Sequence, residues 1–304
     1  MNGNGYALWL LTRRNLKIFL KDKANVFFSL LAPLIVLALY VLFLGRIQED
    51  GLLAALEGMG VTGGAAEISA FCDSWMLAGS MSCACITVPL CACGTMIQDK
   101  TREICADLLI SPVSKWVTPA AYFLSVVAAG LAIGAIVLGV CFVWLAASGI
   151  WLLSVSDVFG CIGTLLLSVV ASSALLVFVV GFFRSQGAFT ALNIILGTVV
   201  GFLIGAYMPI SYFPDAIQKF TYFIPGSYTA GLFRNFMMRG ALDGIAEHLS
   251  PVFAESLKGE FSLTFDFFGA EVGIPAMFVV LACTAVLFAG LNVLAAFLRG
   301  RAKA

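Results

Sequence analysis

Long apolar runs alternate with short charged stretches along almost the whole chain. Six of these runs are long enough, at about 20 residues, to cross the hydrocarbon core of a bilayer as a helix. They lie near residues 24 to 45, 71 to 97, 117 to 147, 157 to 183, 188 to 208 and 272 to 298. The pattern therefore predicts an all-α integral membrane protein with six transmembrane helices.

Composition agrees with a membrane location. Of the 304 residues, 61% are hydrophobic and 11% are charged, which is more apolar surface than a soluble fold of this size could bury. The apolar runs are spread over the whole length without a long polar separator, so residues 1 to 304 are interpreted as a single transmembrane domain. The formal net charge is zero, which gives no bias toward nucleic acid.

Basic residues in the short flanks predict the orientation, because cytoplasmic loops are enriched in Lys and Arg. They precede the first run, separate the second from the third and the fourth from the fifth, and end the chain. With six spans, both termini are therefore expected in the cytoplasm. The basic residues are Arg13, Arg14, Lys17, Lys21, Lys23, Lys100, Arg102, Lys115, Arg184, Arg299, Arg301 and Lys303.

Residues 1 to 23 are predicted to form an interfacial helix, with its regular part from residue 6. On a helical wheel Arg13, Arg14, Lys17 and Lys21 fall within about a 100° arc, with apolar residues away from it. Tyr6 and Trp9 suit the headgroup boundary. A basic flank that only sets the topology, without a helix, is the alternative.

Residues 98 to 115 form a charged segment between the second and third spans. Placed on a helix, Ile97, Thr101, Ile104 and Leu108 make one apolar stripe. Four charged residues lie opposite and are expected to face a soluble partner; they are Asp99, Arg102, Glu103 and Asp107. An amphipathic linker that rests idle on the membrane surface has the same pattern.

Residues 209 to 271 follow the fifth span on the external side. Pro209, Pro214 and Pro225 can each begin a short helix, which predicts two half-length helices near 214 to 223 and 226 to 238. Their aromatic residues, Tyr222 and Tyr228 among them, favour a re-entrant or interfacial hairpin. From Gly240 to Glu271 the composition is more polar and indicates a surface excursion.

Gly197, Gly201 and Gly205 form a small-residue ladder in the fifth run. Such ladders let helices approach closely in lipid, and the pattern fits packing within one subunit as well as a contact between subunits.

Motifs for chemistry are missing from the sequence. It contains no Gly-Lys dipeptide and hence no phosphate loop of the Gly-x-x-x-x-Gly-Lys-Ser/Thr type. The chain is therefore not expected to be an enzyme, to bind ATP itself, or to hold a metal or other cofactor.

Two motifs carry a resemblance to a known family. Asp99-Lys100, Asp107-Leu108-Leu109 and Ser111-Pro112-Val113-Ser114-Lys115 resemble the cytoplasmic coupling segment of type-2 ABC transporter permeases. Met208-Pro209-Ile210-Ser211, Phe213-Pro214, Ile224-Pro225-Gly226-Ser227-Tyr228 and Arg234 are similar to the external hairpin of the same family. Many members have Gly-Thr-Leu-Glu before the Leu-Leu pair, where this chain has Ile104-Cys105-Ala106-Asp107.

The resemblance implies the membrane-spanning permease subunit of an ATP-driven ABC exporter in the plasma (inner) membrane of a bacterium. Its implied partners are a cytoplasmic ABC ATPase subunit, which would bind ATP and Mg, and a second permease subunit, either identical or a paralogue. The implied substrate is an amphipathic or hydrophobic drug, antibiotic, lipid or glycan.

The resemblance also assigns roles to residues. Partner coupling is implied for Asp99, Arg102, Glu103, Asp107, Ser111 and Pro112. Packing at the dimer or the transport path is implied for Gly197, Gly201 and Gly205, and an external gate for Pro209, Pro214, Tyr222, Pro225 and Tyr228.

Two rival functions remain at this point. An ion- or proton-driven secondary transporter is expected to show inverted repeats and ionisable groups at the middle of the membrane, and no clear repeat relates the two halves. A non-transporting membrane scaffold would keep the partner-binding segment but move no substrate.

Overall fold

Helices form nearly all of the regular structure in the computed structural model, which describes residues 3 to 61, 63 to 104, 113 to 267 and 270 to 301. The first helix, α1, covers Gly3–Lys21 and agrees with the predicted N-terminal helix. Asp22 then caps a short helix, α2 (Lys23–Ser29), by accepting a hydrogen bond from the Asn25 amide at 3.1 Å.

The six predicted membrane spans are confirmed as helices of sufficient length and apolar composition. The first span consists of α3 (Leu31–Leu39), a π-helical turn (Tyr40–Leu44) and α4 (Gly45–Gly58). The second consists of α5 (Ala65–Ala92) and α6 (Gly94–Thr101). The third to sixth are α7 (Val117–Ala147), α8 (Val155–Gly181), α9 (Gln186–Leu203) and α14 (Ile274–Arg301).

The first span continues well beyond its predicted end at residue 45. Residues Gln48 to Asp50 are polar, yet they lie inside α4, which ends only at Gly58. Hydropathy marks the part of a helix that lies in lipid, whereas the backbone hydrogen bonds of a helix do not depend on polar or apolar side chains. The fifth span is shorter than predicted, because Gly205 adopts a left-handed conformation (φ +71°) just after α9.

The segment after the fifth span is helical as well. A 3₁₀ turn (Ile210–Tyr212) leads into α10 (Asp215–Thr221) and α11 (Pro225–Met237), which confirms the two predicted half-length helices. Two further helices follow, α12 (Arg239–His248) and α13 (Pro251–Glu260). Two short strands, β1 (Phe265–Phe267) and β2 (Ala270–Val272), pair antiparallel with Phe265 opposite Val272.

The prediction of a surface excursion from 240 to 271 was wrong. Phe253, Leu257 and Phe261 are buried, and the Phe261 ring packs edge-on against Phe71 at 4.8 Å and Trp75 at 5.7 Å between ring centroids. The polar residues of this stretch alternate with apolar ones on short helices, so only one side of each helix faces outward. We call α12 and α13 the outer cap.

The second span lies at the centre of the bundle, where an 18-residue stretch of it is entirely buried. It packs against the first, third and fourth spans and against α11, while the sixth span packs on the fourth and α1 lies along the third. Glycines allow close packing here: a Cβ on Gly130 of the third span would lie 2.6 Å from Val169 of the fourth. The outer faces of the first and fifth spans remain largely exposed.

Candidate coupling site and outer hairpin

The charged segment at 98 to 112 does not begin as a separate helix. Residues 98 to 101 are the last turn of the second span, which ends at Thr101. Glu103 has a positive φ of 60°, a conformation that interrupts a right-handed helix. The predicted apolar stripe is broken at the same place, since Ile97 is buried and Thr101 is exposed.

Asp99 is buried, so the prediction that it faces a soluble partner was wrong. Arg14 of α1 donates two hydrogen bonds to its carboxylate, from Nη1 at 2.6 Å and from Nη2 at 2.8 Å. The hydroxyl of Tyr122 in the third span donates a third, at 2.7 Å. A helical wheel gives the direction in which Asp99 points but not the element that packs against it. In the structure, α1 and the third span pack against Asp99.

Arg102 and Glu103 are exposed, as expected for residues that contact a partner. Asp107, Ser111 and Pro112 lie outside the described residues. Of the predicted coupling residues that the structure describes, two therefore remain accessible and one is an internal anchor.

Two further contacts fix the surroundings of this segment. Lys100 donates to the carbonyl oxygens of Gly181 at 2.9 Å and Phe183 at 3.1 Å, which places a cation at the C-terminal end of the fourth span, where the helix dipole favours one. Asn4 near the start of α1 exchanges two hydrogen bonds with Ser114, at 2.8 Å to the hydroxyl and 3.3 Å from the amide. Thus α1 contacts the chain at the beginning of the segment, through Asp99, and just after its end, through Ser114.

Arg14, Tyr122 and Asn4 were missed as partners by sequence reasoning. Arg14 sits on the same basic arc as Arg13, and composition does not distinguish the two. The available signal was Asp99 itself, because an acid continuous with an apolar transmembrane run needs a cation or donors when it is buried.

The hairpin formed by α10 and α11 is closed by the residues of its motif. Pro225 starts α11 at its first position, where a missing N–H costs nothing. Ser227 then donates to the Thr221 carbonyl at 2.8 Å and the Tyr228 hydroxyl donates to the Tyr222 carbonyl at 2.7 Å. Both bonds run from the first turn of α11 back to the end of α10, so they hold the two helices at a fixed turn.

Aromatic packing adds to this closure. The rings of Tyr222 and Tyr228 each lie 5.6 Å from the ring of Phe265 in β1. The structure thus brings together two of the five predicted gate residues and packs them against β1.

The remaining gate residues lie at the entrance of the hairpin. Pro209 is buried and precedes the 3₁₀ turn, whereas Pro214 is exposed and caps α10. Between them, the Tyr212 hydroxyl donates to the Glu260 carboxylate at 2.9 Å. Partial burial and this carboxylate raise the pKa of Tyr212 above its ordinary value, which is already well above neutral.

Helix α11 is inserted among the spans, in keeping with a re-entrant hairpin. Almost all of its residues are buried against the second, fourth and sixth spans, and Thr229 pairs with Ser168 of the fourth span at 3.0 Å between hydroxyl oxygens. Arg234 is fully buried and donates from Nη2 to the carbonyls of Ile204 at 2.9 Å and Gly205 at 2.7 Å. Arg234 therefore ties the hairpin to the C-terminal end of the fifth span.

The glycine ladder does not act as one surface. A Cβ on Gly201 would clash with the Tyr207 ring, and Gly205 lies beyond the helix against Ile210 and Arg234. Both glycines serve packing within the subunit. A Cβ on Gly197 would meet nothing within 4 Å, so this position is open.

A His–Glu contact and an ion pair attach the outer cap to the bundle. His248 of α12 approaches Glu67 in the first turn of the second span at 3.4 Å, and Arg239 pairs with Asp157 in the first turn of the fourth at 2.9 Å. Asp157 also closes a capping box with Ser154. The second span thus contacts the outer cap near its N-terminal end and α1 near its C-terminal end.

The comparison with protein families assigns the chain. The profile for the ABC-2 type transporter matches residues 6 to 238, which run from α1 through the first five spans and α11. No curated protein matches the chain. The matched region includes both the segment after the second span and the hairpin, so the chain belongs to the ABC-2 type transporter family and is a multi-pass membrane permease.

Proposed function

We propose that the chain is the membrane-spanning subunit of an ATP-driven exporter in the plasma (inner) membrane of a bacterium. A separate cytoplasmic ATPase supplies the energy, binds ATP and Mg, and docks on Arg102, Glu103 and the residues that follow, including Asp107, Ser111 and Pro112. Both chain termini lie on the cytoplasmic side. The hairpin and the outer cap then lie on the external side and close the mouth of the path.

A single observation carries this proposal: the second span is buried and contacts the two candidate functional regions at its opposite ends. Phe71 near one end packs on Phe261 of the chain just after the outer cap, and Asp99 near the other end binds α1. A helix between these positions is roughly 40 Å long. Displacement of the cytoplasmic end by the ATPase would therefore shift a packed helix that reaches the external gate.

We propose that two permease subunits together enclose the path, because the buried second span occupies the centre of the bundle in one subunit. We propose that the exposed faces of the first and fifth spans meet a second subunit. Their side chains are apolar, which suits an amphipathic or hydrophobic substrate; examples are Val41, Leu42, Ile194, Ile195 and Phe202.

Purification with the candidate ATPase tests the proposal directly. The tagged chain, coexpressed with the ATPase encoded by a neighbouring gene, is expected to recover that ATPase, and liposomes of the complex should export a lipophilic dye only with ATP and Mg. A chain that recovers no ATPase and moves no dye with ATP contradicts the proposal. Asp73 is an acid near the N-terminal end of the second span. Transport that is driven by a proton gradient without nucleotide, and is lost in Asp73→Asn, would identify a secondary transporter instead.

Charge-reversal variants locate the docking surface in the same experiment. Arg102→Glu combined with Glu103→Arg is expected to lower ATPase recovery about tenfold, since it inverts two exposed charges at the site. The matched control is Glu255→Lys with Lys258→Glu, which inverts an exposed pair 2.8 Å apart on α13. Equal losses in both variants would place docking elsewhere.

A further inference from the structure

We propose that Arg14, Asp99 and Tyr122 form a latch that makes α1 move as one body with the cytoplasmic ends of the second and third spans. Arg14 and Asp99 are positioning residues in this proposal, because neither needs to touch the ATPase or the substrate. The inference rests on the proposed function, since it concerns how motion is passed on once the ATPase has docked.

The latch is a buried and fully paired acid. The Asp99 side chain is 5% exposed, and it accepts two hydrogen bonds from one guanidinium and one from a phenol. A two-pronged bond between arginine and carboxylate fixes orientation as well as distance. Removal of the arginine would leave a buried carboxylate without its hydrogen-bonded counter-ion, which is costly in a low-dielectric site even with the Arg102 charge nearby. Arg14 is therefore held to Asp99 as long as the carboxylate stays buried.

A second contact, near the start of α1, attaches this helix to the chain just before the third span. Asn4 and Ser114 are joined by two hydrogen bonds, ten positions before Arg14 on the same helix. Ten residues of helix span about 15 Å. Asp99 precedes the docking residues and Ser114 follows them, so α1 bridges the two ends of the chain stretch to which the ATPase is proposed to bind.

Buried residues of α1 beside Arg14 connect this bridge to the bundle, and Arg14 also donates to the Asn15 side chain at 2.9 Å. Asn15 and Phe19 are the buried residues of α1, and this helix packs along the third span, which also supplies Tyr122. A push on the docking stretch would therefore reach the third span through α1 and the second span through Asp99. Without the latch, docking would still displace the second span directly, but α1 and the third span would no longer be held to it through Asp99.

Arg14 and Arg13 form a matched pair for the test. Both are basic residues of α1, but Arg13 is exposed and lies over the Trp9 ring at 5.2 Å, away from Asp99. Arg14→Gln and Arg13→Gln thus remove the same charge from the same helix, and only the first breaks the latch. Asp99→Asn is a second probe that keeps the shape of the side chain and the contact with Tyr122.

The measurement is the number of substrate molecules transported per ATP hydrolysed by the permease and ATPase complex in liposomes, together with hydrogen exchange of residues 3 to 21. Arg14→Gln and Asp99→Asn are expected to retain ATPase binding and hydrolysis but to transport about tenfold less per ATP. Faster exchange in α1 should accompany the loss. Arg14→Lys keeps the positive charge but cannot form the two-pronged hydrogen bond. Its transport per ATP should fall between that of these variants and that of the wild type.

The outcomes separate this inference from the proposed function. Wild-type transport per ATP in Arg14→Gln, or the same loss in Arg13→Gln, would overturn the latch and leave the ATP-driven function standing. If Arg14→Gln and Asp99→Asn fail to insert or to bind the ATPase, while Arg14→Lys transports normally, the pair serves stability alone and the latch is wrong. Lack of ATP-dependent transport by the wild-type complex would overturn the proposed function and the latch together.

Discussion

Arg234 is a charged side chain with no exposed surface, and its location explains why the sequence keeps a charge there. The fifth span ends just before Gly205, where the last carbonyl groups of the helix lack partners within it. Arg234 donates from Nη2 to two of these oxygens and places a positive charge at the negative end of the helix dipole. Arg234 of the hairpin thus supplies hydrogen-bond donors to carbonyl groups at the end of the fifth span.

Replacement of Arg234 by Met should destabilise the protein by about 1 to 3 kcal/mol, because the Ile204 and Gly205 carbonyls would stay buried without this donor. The measurement is thermal unfolding of the purified protein in detergent. Arg234→Lys should lose less, since only Nη2 bonds in the wild type and an ammonium group can replace one donor. Lys219→Met, an exposed change on α10, serves as the control. Equal unfolding temperatures for Arg234→Met and the wild type would contradict the assigned role.

Single residues were the hardest part of this protein to predict. Asp99 was assigned to an open face because its helical angle points away from Ile97, whereas α1 covers that face in the structure. Tertiary contacts between residues 85 positions apart leave no trace in local periodicity. Arg102 and Glu103 are exposed as expected, but because the helix has already ended there and not because they share its charged face; their contact with a partner stays a prediction.

At the scale of elements, prediction from the sequence was far better. Six apolar runs gave six spans, and Pro214 and Pro225 gave the starts of the two hairpin helices. The thickness of the bilayer sets the length of an apolar span, and the proline ring fixes the backbone angle φ at a helix start. Both features can therefore be predicted from a short stretch of sequence. Helix ends in water, such as Gly58, depend on backbone hydrogen bonds and packing and were missed.

The turn between α10 and α11 is held by the hydrogen bond from the Tyr228 hydroxyl to the Tyr222 carbonyl. Tyr228→Phe removes the hydroxyl that binds the Tyr222 carbonyl but leaves the ring on Phe265, so α10 should loosen relative to α11. The lost bond is worth about 1 kcal/mol. Hydrogen exchange of residues 215 to 224 should become severalfold faster, with unchanged exchange in the second span. Phe220→Leu, at an exposed position on α10, is the matched control and should leave exchange unaltered.

At the scale of the whole molecule, burial is distributed unevenly among the spans. The second span is enclosed on all sides, whereas the fifth packs on its own subunit along only a small part of its surface. Lipid can cover an exposed apolar face, but a face that also carries an unfilled glycine allows another helix to approach closely. Gly197 is the open glycine of the ladder in the fifth span, since Gly201 and Gly205 are filled from within the subunit, and Gly290 is an open glycine on the exposed sixth span.

Gly197→Trp therefore tests whether the fifth span meets a second subunit. Because a Cβ at residue 197 meets nothing within its own subunit, the indole should leave the fold intact and obstruct only an approaching helix. Two copies with different tags are expected to copurify in the wild type and to separate in this variant, at equal membrane insertion. Val286→Trp on the sixth span, at a position 74% exposed, offers an equally large side chain on another apolar face and should not separate the copies. The opposite result, with separation only in Val286→Trp, would place the subunit contact on the sixth span and move the transport path away from the fifth.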